Sequence, residues 1–161
     1  MSEEEESLEK RLGDALRDNK LRIAVAESCT GGLISHRITN IPGSSDYFDR
    51  GVIVYSNTSK AQLLGVPKLI IDSFGAVSRE TAKAMAEGIK KMSGSDLGLA
   101  VTGIAGPGGG TPNKPVGLVY IGLASLKPTM EKEFRFTGER YEIKNQASEE
   151  ALKMVLGFLS V

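Results

Sequence analysis

The chain has 161 residues, with 20 Lys and Arg balanced by 20 Asp and Glu, so it can build one full hydrophobic core and carries no net field drawing it to nucleic acid or an anionic membrane. One cysteine excludes an internal disulfide framework, one histidine leaves too few ligands for an ordinary zinc site, and no apolar run approaches membrane-spanning length. The acidic start, Met1 to Glu6, has the wrong charge for a signal peptide, and a single cytoplasmic domain over 1–161 is expected.

Residues 5–19 place Leu8, Leu12, Ala15 and Leu16 on one helical face, behind acidic residues in the first turn. Asn19-Lys20 ends that helix, and Arg22 to Ala26 reads as a short central strand. The run then stops at Glu27-Ser28-Cys29-Thr30-Gly31-Gly32, after which Leu33, Ile34, Ile38 and Ile41 recur at three- and four-residue spacing. This is a strand, an elbow and a helix, with Ser28 at the junction. Pro42 to Ser45 is a loop and Gly51 to Tyr55 a second strand. Asn57 can cap a third helix that holds Lys60, Ala61, Leu63 and Leu64 and stops at Gly65-Val66-Pro67.

Leu69 to Ala76 is an apolar connection of ambiguous kind, whereas Ser78 opens a helix with Ala82, Met85, Ala86 and Ile89 on its buried stripe. Asp96 to Thr102 is a strand without polar alternation, so both its faces should be covered. Gly103 to Pro115 is too rich in glycine and proline to be regular. Val116 to Ser125 gives another buried strand, and Lys132 to Thr137 alternates charged and aromatic residues as a half-exposed strand near the sheet edge would. The last helix runs from about Glu139 to Leu159. These elements predict an α/β protein, a single three-layer α/β/α domain with a mixed, mostly parallel sheet, because the final two strands are joined too closely for a helical crossover.

Ser28 lies where a hydroxyl meets unpaired N–H groups at a helix start, so it can act as a nucleophile or simply, like Thr30, cap the helix. His36 is eight residues further on, about 12 Å along the same helix, and cannot easily serve as its base. A lysine, carboxylate or tyrosine must then take that role. Lys60 stands just after a strand that should end at the same sheet edge, with Tyr55 at that strand's end; a solvated helix lysine is the alternative. Cys29 competes as a nucleophile, or is a buried inert thiol. The loop Thr102 to Gly110 can bring backbone close to an anion, yet lacks both the Walker pattern and G-x-G-x-x-G, and can equally be a flexible connection.

Ala26 to Gly32, Tyr55-Ser56-Asn57 with Lys60, Gly75-Ala76-Val77-Ser78, Thr102-Gly103-Ile104-Ala105-Gly106-Pro107 and Lys114-Pro115-Val116-Gly117 together resemble the CinA C-terminal domain family, in order and over nearly the whole chain. The resemblance implies a three-layer α/β/α fold, commonly a homodimer. It also implies a nicotinamide-nucleotide amidase, which converts nicotinamide mononucleotide to nicotinate mononucleotide and ammonia in pyridine nucleotide salvage. It assigns Ser28 as nucleophile and Lys60 as base, with support from Tyr55 and Thr102. N–H groups of Thr30, Gly31 and Gly32 are expected to hold the oxyanion, and Gly103, Gly106, Arg140 and Lys144 to meet the rest of the substrate. Lys144 stands where the family carries a second arginine, and keeps the charge without the bidentate fork. No cofactor or metal is implied, and neither nucleic acid nor membrane is an expected partner. Many members also carry an N-terminal molybdopterin-binding-like domain, so the likeness is to the stand-alone form. The alternative reading is a catalytically silent nucleotide-binding module, or one connected with competence.

Overall fold

The computed structural model describes residues 6–160; Met1 to Glu5, which hold all but the last residue of the acidic start weighed as a signal peptide and also the first residue of the helix predicted over 5–19, lie outside the described residues. The elements are α1 (Leu8–Asp18), β1 (Ile23–Glu27), α2 (Leu33–Thr39), β2 (Phe48–Ile53), α3 (Asn57–Leu64), α4 (Lys68–Phe74), α5 (Arg79–Ser93), β3 (Leu97–Gly103), β4 (Leu118–Ala124), β5 (Met130–Arg135) and α6 (Arg140–Leu159). The sheet order is β2-β1-β3-β4-β5. β1 pairs in parallel with β2 and β3, and β4 pairs antiparallel with β3 and β5, so only β4 opposes the common direction. The predicted mixed α/β sheet is therefore present. No described helix is long and apolar enough to cross a membrane.

Strand alternation sorts the sheet into two unlike faces. Ile23 and Val25, Leu97, Leu99 and Val101, and Val119, Ile121 and Leu123 point into a core shared with α1, α2 and α6. The intervening residues are small: Ala24, Ala26, Ala100 and Ala124 pack against Met85, Ala86 and Ile89 of α5 and against Leu64 and Ile71 of α3 and α4. Two glycines complete this shallow floor. A Cβ on Gly98 would lie 2.3 Å from the Ala86 carbonyl oxygen, and one on Gly122 would lie 2.7 Å from that of Ala82. Helix α5 thus rests almost on the backbone of β3 and β4. Gly98→Ala should lower stability by about 1–3 kcal/mol, since backbone must move to admit the methyl group. Urea unfolding checks this, and an unchanged midpoint would contradict the close approach.

The structure corrects several boundaries. β2 begins at Phe48 and ends at Ile53, so Tyr55 lies two residues beyond it; an edge strand with one side free tolerates Asp49 and Arg50, which the sequence reading placed before the strand. The ambiguous stretch is helix α4, with Pro67 before its first turn, Ile71 inward, and Leu69 and Phe74 exposed. Ser56 rather than Asn57 caps α3, accepting from the Ser59 N–H at 3.0 Å. β5 starts at Met130, two residues earlier than the alternation suggested.

Candidate active site

β1 delivers three consecutive side chains to three different surroundings. The Ser28 N–H donates to the Val101 carbonyl at 3.0 Å, so extended pairing continues one residue past β1. Alternation then sends Glu27 and Cys29 towards the α1–α2–α6 face and Ser28 towards the α3–α5 face. Cys29 is part of the core, and burial pushes its thiol up to about 12, which keeps it protonated and unreactive near neutrality. Glu27 turns under α2 and is fully buried.

On the opposite face, Lys60 of α3 reaches Ser28. Its Nζ lies 3.0 Å from Ser28 Oγ, 3.0 Å from the Val54 carbonyl and 3.1 Å from the Tyr55 carbonyl. The side chain is only 1% exposed, and among the described residues no carboxylate forms an ion pair with it. Desolvation holds its pKa below the ordinary lysine value. The geometry serves both protonation states: a charged amine donates to all three oxygens, whereas a neutral one keeps two N–H bonds to the carbonyls and turns its lone pair to the Ser28 hydroxyl.

Ser28, Cys29, Tyr55, Lys60, Thr102 and Ala105 line a cavity of about 170 Å³, which also touches Ala76, Val77 and Gly103. Thr102, on the same strand face as Ala100, donates to the Ala76 carbonyl at 2.8 Å and so fixes the opposite wall. Gly103 and Gly106, predicted as points of close approach to a ligand, have packing reasons for lacking a side chain. A Cβ on Gly103 would strike Val119 at 2.6 Å, and one on Gly106 would strike Val116 at 2.4 Å.

At the mouth, Tyr55 is 61% exposed, and its hydroxyl accepts from Arg140 at 3.0 Å. The other amino group of Arg140 donates to the Gly106 carbonyl at 2.6 Å. Arg140 is thus a bracket between Tyr55 and the glycine-rich loop, with both terminal nitrogens engaged. Lys144, one turn along α6, has no ion pair among the described residues, and its Nζ lies 3.5 Å from where a Gly31 Cβ would be. His36 is exposed on α2, away from Ser28.

The expected oxyanion donors need correction. The Gly32 N–H donates to Glu27 Oε1 at 3.2 Å, as do Ile34 at 2.9 Å and Ser35 to Oε2 at 3.0 Å. The Gly31 N–H goes to the Ser28 carbonyl at 3.1 Å. Only the Cys29 and Thr30 N–H groups of the elbow lack an acceptor among the described residues. Glu27 itself is the participant that motif reading passed over. Its signal was an acidic residue ending an otherwise apolar strand, where burial demands several donors. Among the described residues no three His, Cys, Asp or Glu side chains gather as a metal site would require.

A family model described as the CinA C-terminal domain matches residues 5–159. A CinA-like protein of Geotalea uraniireducens is 52% identical over 89% of the chain, and one of Syntrophus aciditrophicus is 48% identical over 98%. The chain spans 34% and 38% of the length of these relatives, respectively. The solved structure of a competence/damage inducible protein, CihA, from Agrobacterium tumefaciens superposes with a TM-score of 0.92 at 41% identity, covering 96% of this chain and 94% of that one.

Proposed function

The chain belongs to the CinA C-terminal domain family, and from that membership together with the contact between Ser28 and a buried Lys60 that has no ion-pair partner among the described residues we propose that it is a nicotinamide-nucleotide amidase. It hydrolyses the carboxamide of nicotinamide mononucleotide to nicotinate mononucleotide and ammonia. The contact carries the reading, because a buried lysine with no acid partner among the described residues and little water around it favours the neutral amine that a serine nucleophile needs.

Neutral Lys60 takes the Ser28 proton as Oγ attacks the carboxamide carbon, and the Cys29 and Thr30 N–H groups receive the oxyanion. The resulting ammonium is held by the Val54 and Tyr55 carbonyls. It returns the proton to the leaving nitrogen, and ammonia departs. Lys60 then draws a proton from water, which attacks the acyl-enzyme, and returns that proton to Ser28 Oγ as the acyl–oxygen bond breaks and the acid leaves. The exposed Tyr55 ring offers a face on which a cationic pyridinium can lie. A cavity of about 170 Å³ admits only the carboxamide end, as whole-ligand pockets run to about 300–1,000 Å³. The ribose phosphate therefore crosses the rim towards α6.

Ammonia release from nicotinamide mononucleotide, with nicotinamide riboside as comparison, tests this assignment. A protein that binds the nucleotide and releases no ammonia would be the silent module instead. Arg140 is engaged on both sides, and Lys144, which has no ion pair among the described residues, is the cation assigned to the phosphate. Lys144→Ala should lower kcat/KM for the mononucleotide about ten- to a hundredfold, the cost of roughly 1.5–3 kcal/mol for a charge-assisted contact, while sparing the riboside. Arg140→Ala should hurt both substrates alike, since it releases Tyr55. Equal losses on both substrates for Lys144→Ala would remove the phosphate role.

A further inference from the structure

We infer that Glu27 is the positioning residue of this site, a buried carboxylate that holds the elbow so that the Ser28 hydroxyl faces Lys60. The inference rests on the acyl-transfer reading above and adds a residue to it. Glu27 is 0% exposed, yet among the described residues no cation forms an ion pair with it. Its two oxygens instead accept from Thr30 Oγ1 at 2.6 Å, Ser35 Oγ at 2.8 Å and the N–H groups of Gly32, Ile34 and Ser35. These donors come from the elbow and from the first turn of α2. One rigid carboxylate thus ties the residues that follow Ser28 to the end of the strand that precedes it.

Without this tie the elbow would be the loosest part of the site. Gly31 and Gly32 both have positive φ, 60° and 107°, and glycine leaves such conformations readily. The neighbouring strand is shaped around the same network: a Cβ on Gly51 would lie 2.1 Å from Ser35 Oγ, so β2 leaves room there for the hydroxyl that Glu27 binds. Strand parity makes the division of labour strict, since Glu27 and Ser28 must point to opposite faces. Glu27 touches neither Lys60 nor the cavity and acts only through the placement of Ser28 and its adjacent N–H groups. Glutamine has the same shape, but its amide nitrogen would meet donors with a donor, whichever way it is turned. A displacement of Ser28 by about 1 Å can cost on the order of a hundredfold in rate.

The test compares the parent protein with Glu27→Gln and Ser35→Ala, measuring thermal unfolding, kcat and KM on nicotinamide mononucleotide, and the rate at which phenylmethylsulfonyl fluoride labels Ser28, read by mass spectrometry. Glu27→Gln should unfold cooperatively, lose about thirty- to a hundredfold in kcat with KM within about twofold, and label correspondingly slowly. Ser35→Ala should lose several-fold in both rates. A folded Glu27→Gln protein with parental kcat and parental labelling overturns the inference. If Glu27→Gln does not fold, a cooperatively folded Ser35→Ala protein with parental rates overturns it as well. Labelling needs no substrate, so slow labelling in Glu27→Gln supports the positioning role even where the parent releases no ammonia, an outcome that defeats only the amidase reading.

Discussion

Ser28→Ala is expected to cut ammonia release from nicotinamide mononucleotide by about a thousandfold or more, while Cys29→Ala keeps most of the parental rate. The two side chains are adjacent just past the end of β1, yet they face opposite sides of the sheet. Ser28 meets Lys60 at 3.0 Å, whereas Cys29 is 5% exposed and packed in the larger core with its thiol held protonated by burial. The fold should survive the loss of the serine, because its hydroxyl lies at the cavity wall and removal leaves no space in either core. Steady-state rates and thermal melts of both variants check this. A fully active Ser28→Ala protein, or a parent inactivated by thiol alkylation that spares Cys29→Ala, would exchange the two roles.

Activity should rise with pH through an apparent pKa below that of free lysine, and Lys60→Arg should lose about 10²–10⁴-fold although it conserves the charge. The direction follows from burial. Desolvation lowers the folded-state pKa of Lys60, so the amine is charged and unable to accept a proton below that value and neutral above it. Arginine stays protonated throughout and should abolish the rise. The same shift makes a stability statement. Between the lowered value and about 10.4 the unfolded chain binds the extra proton, so stability grows as pH rises across that window and is lost as pH falls through the folded-state pKa. Rate profiles for both proteins decide the matter: if Lys60→Arg retains substantial activity and its alkaline rise, Lys60 is a stabilising cation and not the base.

Much of this site was legible before any coordinates. The abrupt end of an apolar strand at Glu27-Ser28, followed by helical spacing from Leu33, placed the elbow, and the exclusion of His36 left a lysine, carboxylate or tyrosine as the partner, with Lys60 the candidate nearest that sheet edge. Both inferences use short-range periodicity, which sequence carries well. What stayed hidden depends on which remote groups meet. Glu27 looked like part of a motif because its donors become neighbours only when α2 folds back across the end of β1. Arg140 looked free for a phosphate because its contacts, Tyr55 and Gly106, are 85 and 34 residues away. Helix α4 was missed for a different reason: seven residues give too few turns for a 3.6-residue period to stand out from a strand.

The position of β1 in the middle of the parallel part of the sheet bears on how such a site comes into being. Its start is clamped by the Asp96 side chain accepting the Arg22 N–H across 74 residues, and the Ser28 and Lys60 atoms that meet at its end are 32 residues apart in the chain. Neither contact can form locally. Closing loops of that size is what slows the folding of parallel sheets, and the reward comes only when the strands on both sides of β1 have docked. The hydroxyl and the amine therefore meet only once β1, β2 and α3 are all in place. A partly assembled chain does not bring Ser28 to Lys60, and their contact is a property of the sheet before it is a property of two residues.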